Sequence, residues 1–382
     1  MRGGDAVTVL VPHAAGLPAG WEEAGVRAVT VRYAPARHEV LGYGRSLRAD
    51  ERLRGRAAVV APLYALALRR AVRRRLARER YDLVHAHWLV PNAVALAGAG
   101  WTRRVPLAIG LHGSDVFLAE RRALRPFARR VLGQARLVTG CSAELVRRVC
   151  ALGFPAARAR VIPYGVDATT FAPRPERRTL WRERLGIPAA APLVLGVGRM
   201  VTKKGFQELV AVLPRLLAER PDLHVVLAGD GDLLPELRAA AVAHAGRVHF
   251  PGAVYRDALP DLFRAADLFV LPAVHDRAGN VDGLPNVILE AMASGLAVVA
   301  SAVSGIPAVV EDGGTGLLVP ERDREALAAA LLRLLGDPER RAAMGTLARR
   351  RAESELSWDA IAARHRESYL AALAGPGGAA TA

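Results

Sequence analysis

Residues Asp282–Gly295 read DGLPNVILEAMASG. Asp282-Gly283 is a turn signal, and Pro285 suits the first position of a helix, where its missing N–H costs nothing. Val287, Ile288, Ala291 and Met292 recur at helical spacing, and Gly295 stops the run. The stretch predicts a loop running into a helix whose free N–H groups face whatever sits before Gly283 and Leu284. Unpaired donors and the helix dipole make such a terminus an anion site. Two carboxylates bracket it, Asp282 ahead of the first turn and Glu290 in the second. A phosphate on the helix end, with hydroxyl groups on either side for the carboxylates, describes a nucleotide-sugar. An ordinary helix start with a surface acid fits these residues as well, and the rest of the chain must decide.

The chain has 382 residues, of which 52% are apolar. That length suggests two domains, each able to bury a core. No run approaches about 18 uncharged apolar residues, so no membrane span is expected. The opening MRGGDAVTVLVPH has no secretory pattern. Cys141 and Cys150 are too few for a disulfide framework and lack metal spacing, which fits a reducing cytoplasm. The net charge of +16 admits nucleic acid, anionic membrane or acidic substrates. Every basic residue except Lys203 and Lys204 is arginine, so part of the charge reflects composition bias. The densest cluster, Leu66–Arg80, could set Leu66, Leu68, Val72 and Leu76 on one helical face among arginines. That pattern suits a membrane-surface helix or a solvated one. No aromatic residues interleave and no nucleic-acid motif appears, so nucleic acid is not an expected partner.

Strand-like and helical runs alternate. In the first half, strands are expected at Ala6–Pro12, Val26–Tyr33, Tyr81–His87, Val105–Gly113, Arg136–Ser142 and Arg158–Asp167. Helices are expected at Pro62–Arg80, Asn92–Ala99, Phe117–Gln134 and Ala143–Leu152. Such alternation means a parallel sheet with helices on both faces, with ligands at the carboxyl ends of the strands. Polar residues gather at those ends: His85 and His87 in HAHW, then His112, Ser114 and Asp115 in LHGSD. His-x-His can ligate metal, but no third ligand is spaced for it, and contact with substrate hydroxyls is the preferred reading.

Pro173–Pro192 reads as the domain connection, after which the alternation restarts with the strand Leu193–Arg199. GRMVTKKG puts Arg199 at that strand's end and Lys203 and Lys204 one short loop later. The G-x4-G-K-[ST] phosphate loop is absent, yet a strand-end arginine and a loop lysine can clamp a diphosphate as fixed charges. Asp230 and Asp232 form a DGD triplet. It could serve a metal, but on a Gly-rich turn before a helix the expected role is a cap.

Taken together these segments resemble the family 4 glycosyltransferases, retaining enzymes of the GT-B fold with two Rossmann-like domains facing across a cleft. The likeness rests on six motifs in family order: YDLVHAHW, LHGSDVF, VIPYGVDATTF, VGRMVTKKGF, AGDGDLLPELR and DGLPNVILEAMASG. It implies that Arg199 and Lys204 hold the donor diphosphate, that Glu290 binds the ribose, and that Asp282 holds the donor hexose hydroxyls. Gly283, Leu284, Asn286 and Val254 join the donor side, His112 stands near the donor sugar, and His85, His87 and Asp115 lie on the acceptor side. It implies an acceptor-side domain over 1–166, a donor domain over 167–355, a helix at 356–374 crossing back to the first domain, and a flexible tail at 375–382. It implies metal-independent hexosyl transfer, with no cofactor, from a nucleotide-diphosphate sugar to a glycan or lipid-linked acceptor in polysaccharide or glycolipid biosynthesis. The location implied is cytoplasmic and peripheral on the membrane's inner face. Two departures stand out. Asp282 replaces the usual Glu, and the family's opening strand, glycine-rich loop and helix have no counterpart before AVTVLVP. The second implies either a vacant strand position beside Ala6–Pro12 or an exposed edge with unpaired N–H and C=O groups, and should leave apolar residues of Val105–Leu111 open. A catalytically impaired binding protein and a GT-B nucleotide-sugar epimerase are the competing readings.

Overall fold

The computed structural model describes residues 4–39, 41, 54–98, 100–255, 257–277 and 279–374, so the expected tail at 375–382 lies outside the described residues. The first half holds β1 (Val7–Pro12), β2 (Gly20–Glu23) and β3 (Val26–Val31), then β4 (Val84–His87), β5 (Leu107–Leu111), β6 (Ala135–Gly140) and β7 (Ala159–Val161). These form two sheets. One has the order β1-β3-β2, with β2 antiparallel; the other is parallel in the order β4-β5-β6-β7. Among the described residues β1 therefore has a partner on one side only, and Val7 and Val9 are exposed there. The expected opening of Val105–Leu111 does not occur. Leu107–Leu111 are all buried, because β4 and β6 flank them and the turn Leu89–Ala93 packs on them.

The second half is one six-stranded parallel sheet: β8 (Leu193–Val197), β9 (His224–Ala228), β10 (Val248–Gly252), β11 (Leu268–Leu271), β12 (Ala297–Ser301) and β13 (Gly316–Val319). The order is β10-β9-β8-β11-β12-β13. β8, β9, β11 and β12 are buried at every position, as expected for parallel strands covered on both faces. Strand order reverses between β8 and β11. A crevice opens there at the carboxyl ends, which is where doubly wound sheets bind ligands.

Local differences from the sequence reading have local causes. The helix expected at Phe117–Gln134 is two, Ser114–Ala119 and Arg125–Leu132. Pro126 lies in the first turn of the second, where its missing N–H has no helical partner to lose. Asn92–Ala99 gives way to a wide turn over Leu89–Ala93. The helix expected from Pro62 runs Arg54–Arg78 with Pro62 inside it. Leu68 and Val72 on that helix are buried in the core rather than displayed, while Val59, Leu63 and Leu66 are exposed.

The last helix, Trp358–Ala374, follows the second half yet packs on the first. Val166 bridges Ser357, Arg366 pairs with Asp5, and Tyr369 meets His85.

Candidate active site

The helix of the opening stretch runs Asn286–Ala293, so Pro285 sits one residue ahead of it, at the cap, with an extended ψ of 116°. The first helical N–H groups therefore point towards the loop carrying Asp282, Gly283 and Leu284. Gly283 and Leu284 are buried, and Asn286 is exposed.

Lys203 and Lys204 end a short turn, Thr202–Lys204, after β8. The turn closes on Gly205, whose φ is 70° and where a Cβ would lie 1.7 Å from the Pro272 carbonyl oxygen. Only glycine fits there, and this contact holds the lysine turn against the end of β11. Across the crevice, Lys203 Nζ lies 2.7 Å from Asp282 Oδ1 and Lys204 Nζ 2.7 Å from Oδ2. Burial pushes the Asp282 carboxyl up, but Lys204 and Lys203 outweigh it and hold it well below the usual carboxylate range. The Lys204 stem passes Gly198, next to the half-buried Arg199. Glu290 is raised to about 7 by burial, against an opposing pull from Lys204. One of its oxygens, Oε2, is sealed from solvent with no hydrogen-bond partner. A buried carboxylate oxygen without a donor is costly in a finished core and apt where a ligand hydroxyl is to arrive. Val254 follows β10 on the same rim of the sheet, partly buried.

The facing wall belongs to the first half. An added Cβ on Gly283 would lie 2.6 Å from Cys141 Sγ and 2.7 Å from the His112 carbonyl oxygen, so the two halves touch at this residue. His85, His87 and His112 converge over Gly110 of β5, where a Cβ would lie 2.9 Å, 3.1 Å and 3.4 Å from a nitrogen of each ring. His112 Nε2 and His87 Nδ1 are 3.0 Å apart, and His112 Nδ1 is 2.7 Å from Tyr164 Oη. Burial lowers the pKa of His112 to about 4 and lowers those of His85 and His87, so all three are neutral at physiological pH.

Two expectations are corrected. Asp115 does not face the acceptor side. It is 2% exposed, Oδ1 accepts the His112 and Gly113 N–H groups at 3.1 Å and 2.8 Å, and Oδ2 accepts the Leu89 N–H at 2.8 Å. Its carboxylate is spent tying two loops together, which places His112. Asp232 is exposed and caps nothing: the helix Leu234–Ala240 starts after Leu233 with no side-chain cap. Asp230 Oδ1 accepts the Gly231 N–H at 2.8 Å. Among the described residues no three His, Cys, Asp or Glu side chains are placed to hold a metal ion. Sequence reasoning missed Tyr164 and Tyr369. Tyr164 lies in VIPYGVD just past a strand end, a signal that could have raised it; nothing marks Tyr369 within its helix.

Two Rossmann-like halves meeting at the switch point of a parallel sheet, with cations and carboxylates on one wall and imidazoles on the other, define a GT-B glycosyltransferase. A family profile described as "Glycosyltransferase Family 4" matches residues 31–170, and one described as "Glycosyl transferases group 1" matches residues 191–337. The chain is 38% identical to a D-inositol 3-phosphate glycosyltransferase of Kineococcus radiotolerans over 78% of this chain and 73% of that protein. It is 35% identical to a GDP-mannose-dependent alpha-(1-6)-phosphatidylinositol monomannoside mannosyltransferase of Mycolicibacterium smegmatis, over 71% of each. The solved structure of sucrose-phosphate synthase from Thermosynechococcus elongatus superposes with a TM-score of 0.75 at 25% identity, covering 98% of this chain and 90% of that one. The chain belongs to the family 4 glycosyltransferases.

Proposed function

We propose that the protein transfers a hexosyl group, with retention, from a nucleotide-diphosphate sugar to a glycan or lipid-linked acceptor in polysaccharide or glycolipid biosynthesis, without a bound metal. The observation that carries this is the convergence of Lys203, Lys204 and Asp282 at the start of the helix Asn286–Ala293. Arg199 and Lys204 take the diphosphate, assisted by the N–H groups beyond Gly283, Leu284 and Asn286. Glu290 accepts from the ribose hydroxyls, Val254 lies on the donor side, and Asp282 receives the hexose hydroxyls once the lysines turn to phosphate. The anomeric C–O bond to phosphate breaks as the acceptor oxygen bonds the same face of the anomeric carbon. The acceptor proton passes to the departing phosphate oxygen, leaving a nucleoside diphosphate. Fixed cations and the helix end stabilise that developing charge. His112 and His87 face the sugar and acceptor as neutral hydrogen-bonding groups.

The GDP-mannose and phosphatidylinositol chemistry in one relative's name supports the donor and acceptor classes. A groove of about 560 Å³ beside the helix Arg54–Arg78 is lined by Arg32, Arg70, Arg74, Arg75 and Arg78 and suits an anionic headgroup. No helix among the described residues is long and apolar enough to cross a membrane. We place the protein in the cytoplasm, peripheral on the membrane's inner face. Incubation with a panel of nucleotide-sugars and product analysis tests the activity. Transferred sugar is the expected result; free epimerised donor or no product overturns it.

A further inference from the structure

The helix Trp358–Ala374 does more than cover the first half. Tyr369 Oη lies 2.6 Å from His85 Nδ1. The His85 ring stacks on His87 with centroids 4.2 Å apart and planes at 30°. His87 Nδ1 meets His112 Nε2, and His112 Nδ1 meets Tyr164 Oη, whose ring lies nearly parallel to the imidazole at 13°. An unbroken row of five side chains thus runs from the last helix through His112 to Tyr164.

We propose that Tyr369 is a positioning residue for His112, fixing through His85 and His87 where the His112 ring points and how its Nε2 meets His87 Nδ1. The inference rests on the proposed placement of His112 at the donor sugar. The chemistry of the row leaves few states. Only one hydrogen fits between His112 Nε2 and His87 Nδ1, so the two rings must hold opposite roles there. If Tyr164 donates to His112 Nδ1, then His112 donates from Nε2 and His87 carries its own hydrogen on Nε2. In the alternative, His112 donates from Nδ1 to Tyr164 and accepts from His87. Burial keeps the rings neutral and so keeps this choice binary. His87 retains solvent contact, so the stack with His85 sets its plane and decides how well Nδ1 aims at His112. Among the described residues His85 makes its side-chain hydrogen bond to Tyr369, whose Oη also lies 3.5 Å from His365 Nδ1, while His85 Nε2 is sealed over Gly110 with no partner. A ring with one free buried nitrogen is poorly anchored, and removal of its single hydrogen bond frees it to rotate towards another partner. Because Tyr369 belongs to a helix that follows the second half, the row also ties the placement of the His112 ring to how that helix is seated.

The test uses the full chain with the variants Tyr369→Phe, His85→Phe and Leu370→Ala. Leu370 is exposed on the same helix and outside the row. Imidazole nitrogen shifts in ¹⁵N NMR report the tautomer of each histidine directly. The expected result is a changed difference between the Nδ1 and Nε2 shifts of His112 in Tyr369→Phe and in His85→Phe, with the Leu370→Ala spectrum as wild type. With a donor in hand, kcat in Tyr369→Phe falls about fivefold, the scale of one net hydrogen bond, at unchanged donor KM. Unchanged His112 nitrogens in Tyr369→Phe, an equal change in Leu370→Ala, or wild-type kcat overturns the proposal. Absence of transfer by the wild-type protein overturns the proposed function alone, because the nitrogen shifts still decide the coupling.

Discussion

Lys204 Nζ lies 2.7 Å from Asp282 Oδ2, so the residue proposed to hold donor phosphate is paired with the one proposed to hold donor sugar. Lys203 takes the other carboxylate oxygen. Removing one member of a largely buried ion group leaves the remainder uncompensated, which is costly. Lys204→Ala is expected to lower kcat/KM by roughly 10²-fold or more, the scale of removing a preorganised polar contact. Wild-type turnover in both Lys204→Ala and Glu290→Ala would eliminate this donor site. Asp282 also carries a pH signature. Its folded pKa lies below its unfolded value, so its contribution to stability is present above about pH 4 and is lost as pH falls. Tm measured from pH 6 down to 3 should drop less steeply in Asp282→Asn than in wild type.

Glu290 behaves in the opposite sense. Its pKa stands at about 7, against an ordinary value of 4.5. The folded chain holds that proton more firmly than the unfolded chain does. The associated stability is complete below about pH 4.5 and is lost as pH rises through about 7. Ribose hydroxyls are donors, and the ionised carboxylate accepts from two at once. Donor KM is therefore expected to fall as pH rises from 6 to 8, and Glu290→Gln should flatten that dependence. A wild-type KM independent of pH over this range would contradict the ribose role.

Chelation separates the two uses open to Asp230 and Asp232. On the proposed function, Arg199 and Lys204 supply fixed cations for the departing diphosphate, so transfer should continue at full rate in EDTA. Loss of activity with EDTA, restored by a divalent cation, would bring the aspartates back as metal ligands.

Membrane association is expected through the exposed face of the helix Arg54–Arg78. Val59, Leu63 and Leu66 lie outward there, followed along the helix by Arg70 and Arg74. This differs from the face read in the sequence, since Leu68 and Val72 turn inward. Flotation should show binding to anionic vesicles that weakens with salt, because exposed charges are screened within about 10 Å at 0.1 M. Equal binding to neutral vesicles, or none at low salt, would discard the idea.

What was legible in the sequence is what repeats or punctuates. The runs around Leu193, Leu223, Asp267 and Leu296 are apolar on both faces, and they became the central strands of the second sheet. Gly295 and Pro285 bound the key helix to within a residue. Pairings between distant segments left no mark. Asp115 reads as a cleft acid, and only the fold shows three backbone N–H groups consuming it. The hairpin of β2 on β3 was invisible because GWEE has no apolar alternation, and its four residues are all exposed. The row ending at Tyr369 joins residues 284 positions apart in the chain.

Contact between the halves at Gly283 yields the last prediction. The backbone there is open to any residue, so a substitution acts through space alone. A methyl group at this position would meet Cys141 Sγ at 2.6 Å and the His112 carbonyl oxygen at 2.7 Å, both well inside van der Waals contact. The sulfur could be removed, but the carbonyl belongs to a loop fixed by Asp115 and has nowhere to go. The Gly283 carbonyl accepts from Gly305 N–H at 2.8 Å and Ser304 Oγ at 3.0 Å, which holds the donor loop from behind. Gly283→Ala must therefore separate the two walls by displacing one against the other. Transfer should fall by roughly 10²-fold, because a misplacement of about 1 Å at reacting groups costs that much. Nucleotide affinity should change little, since Arg199, Lys204 and Glu290 stay together on one half. Combining Gly283→Ala with Cys141→Ala should not restore activity. Recovery in the double variant would show that the sulfur, and not the His112 carbonyl, sets the separation of the walls.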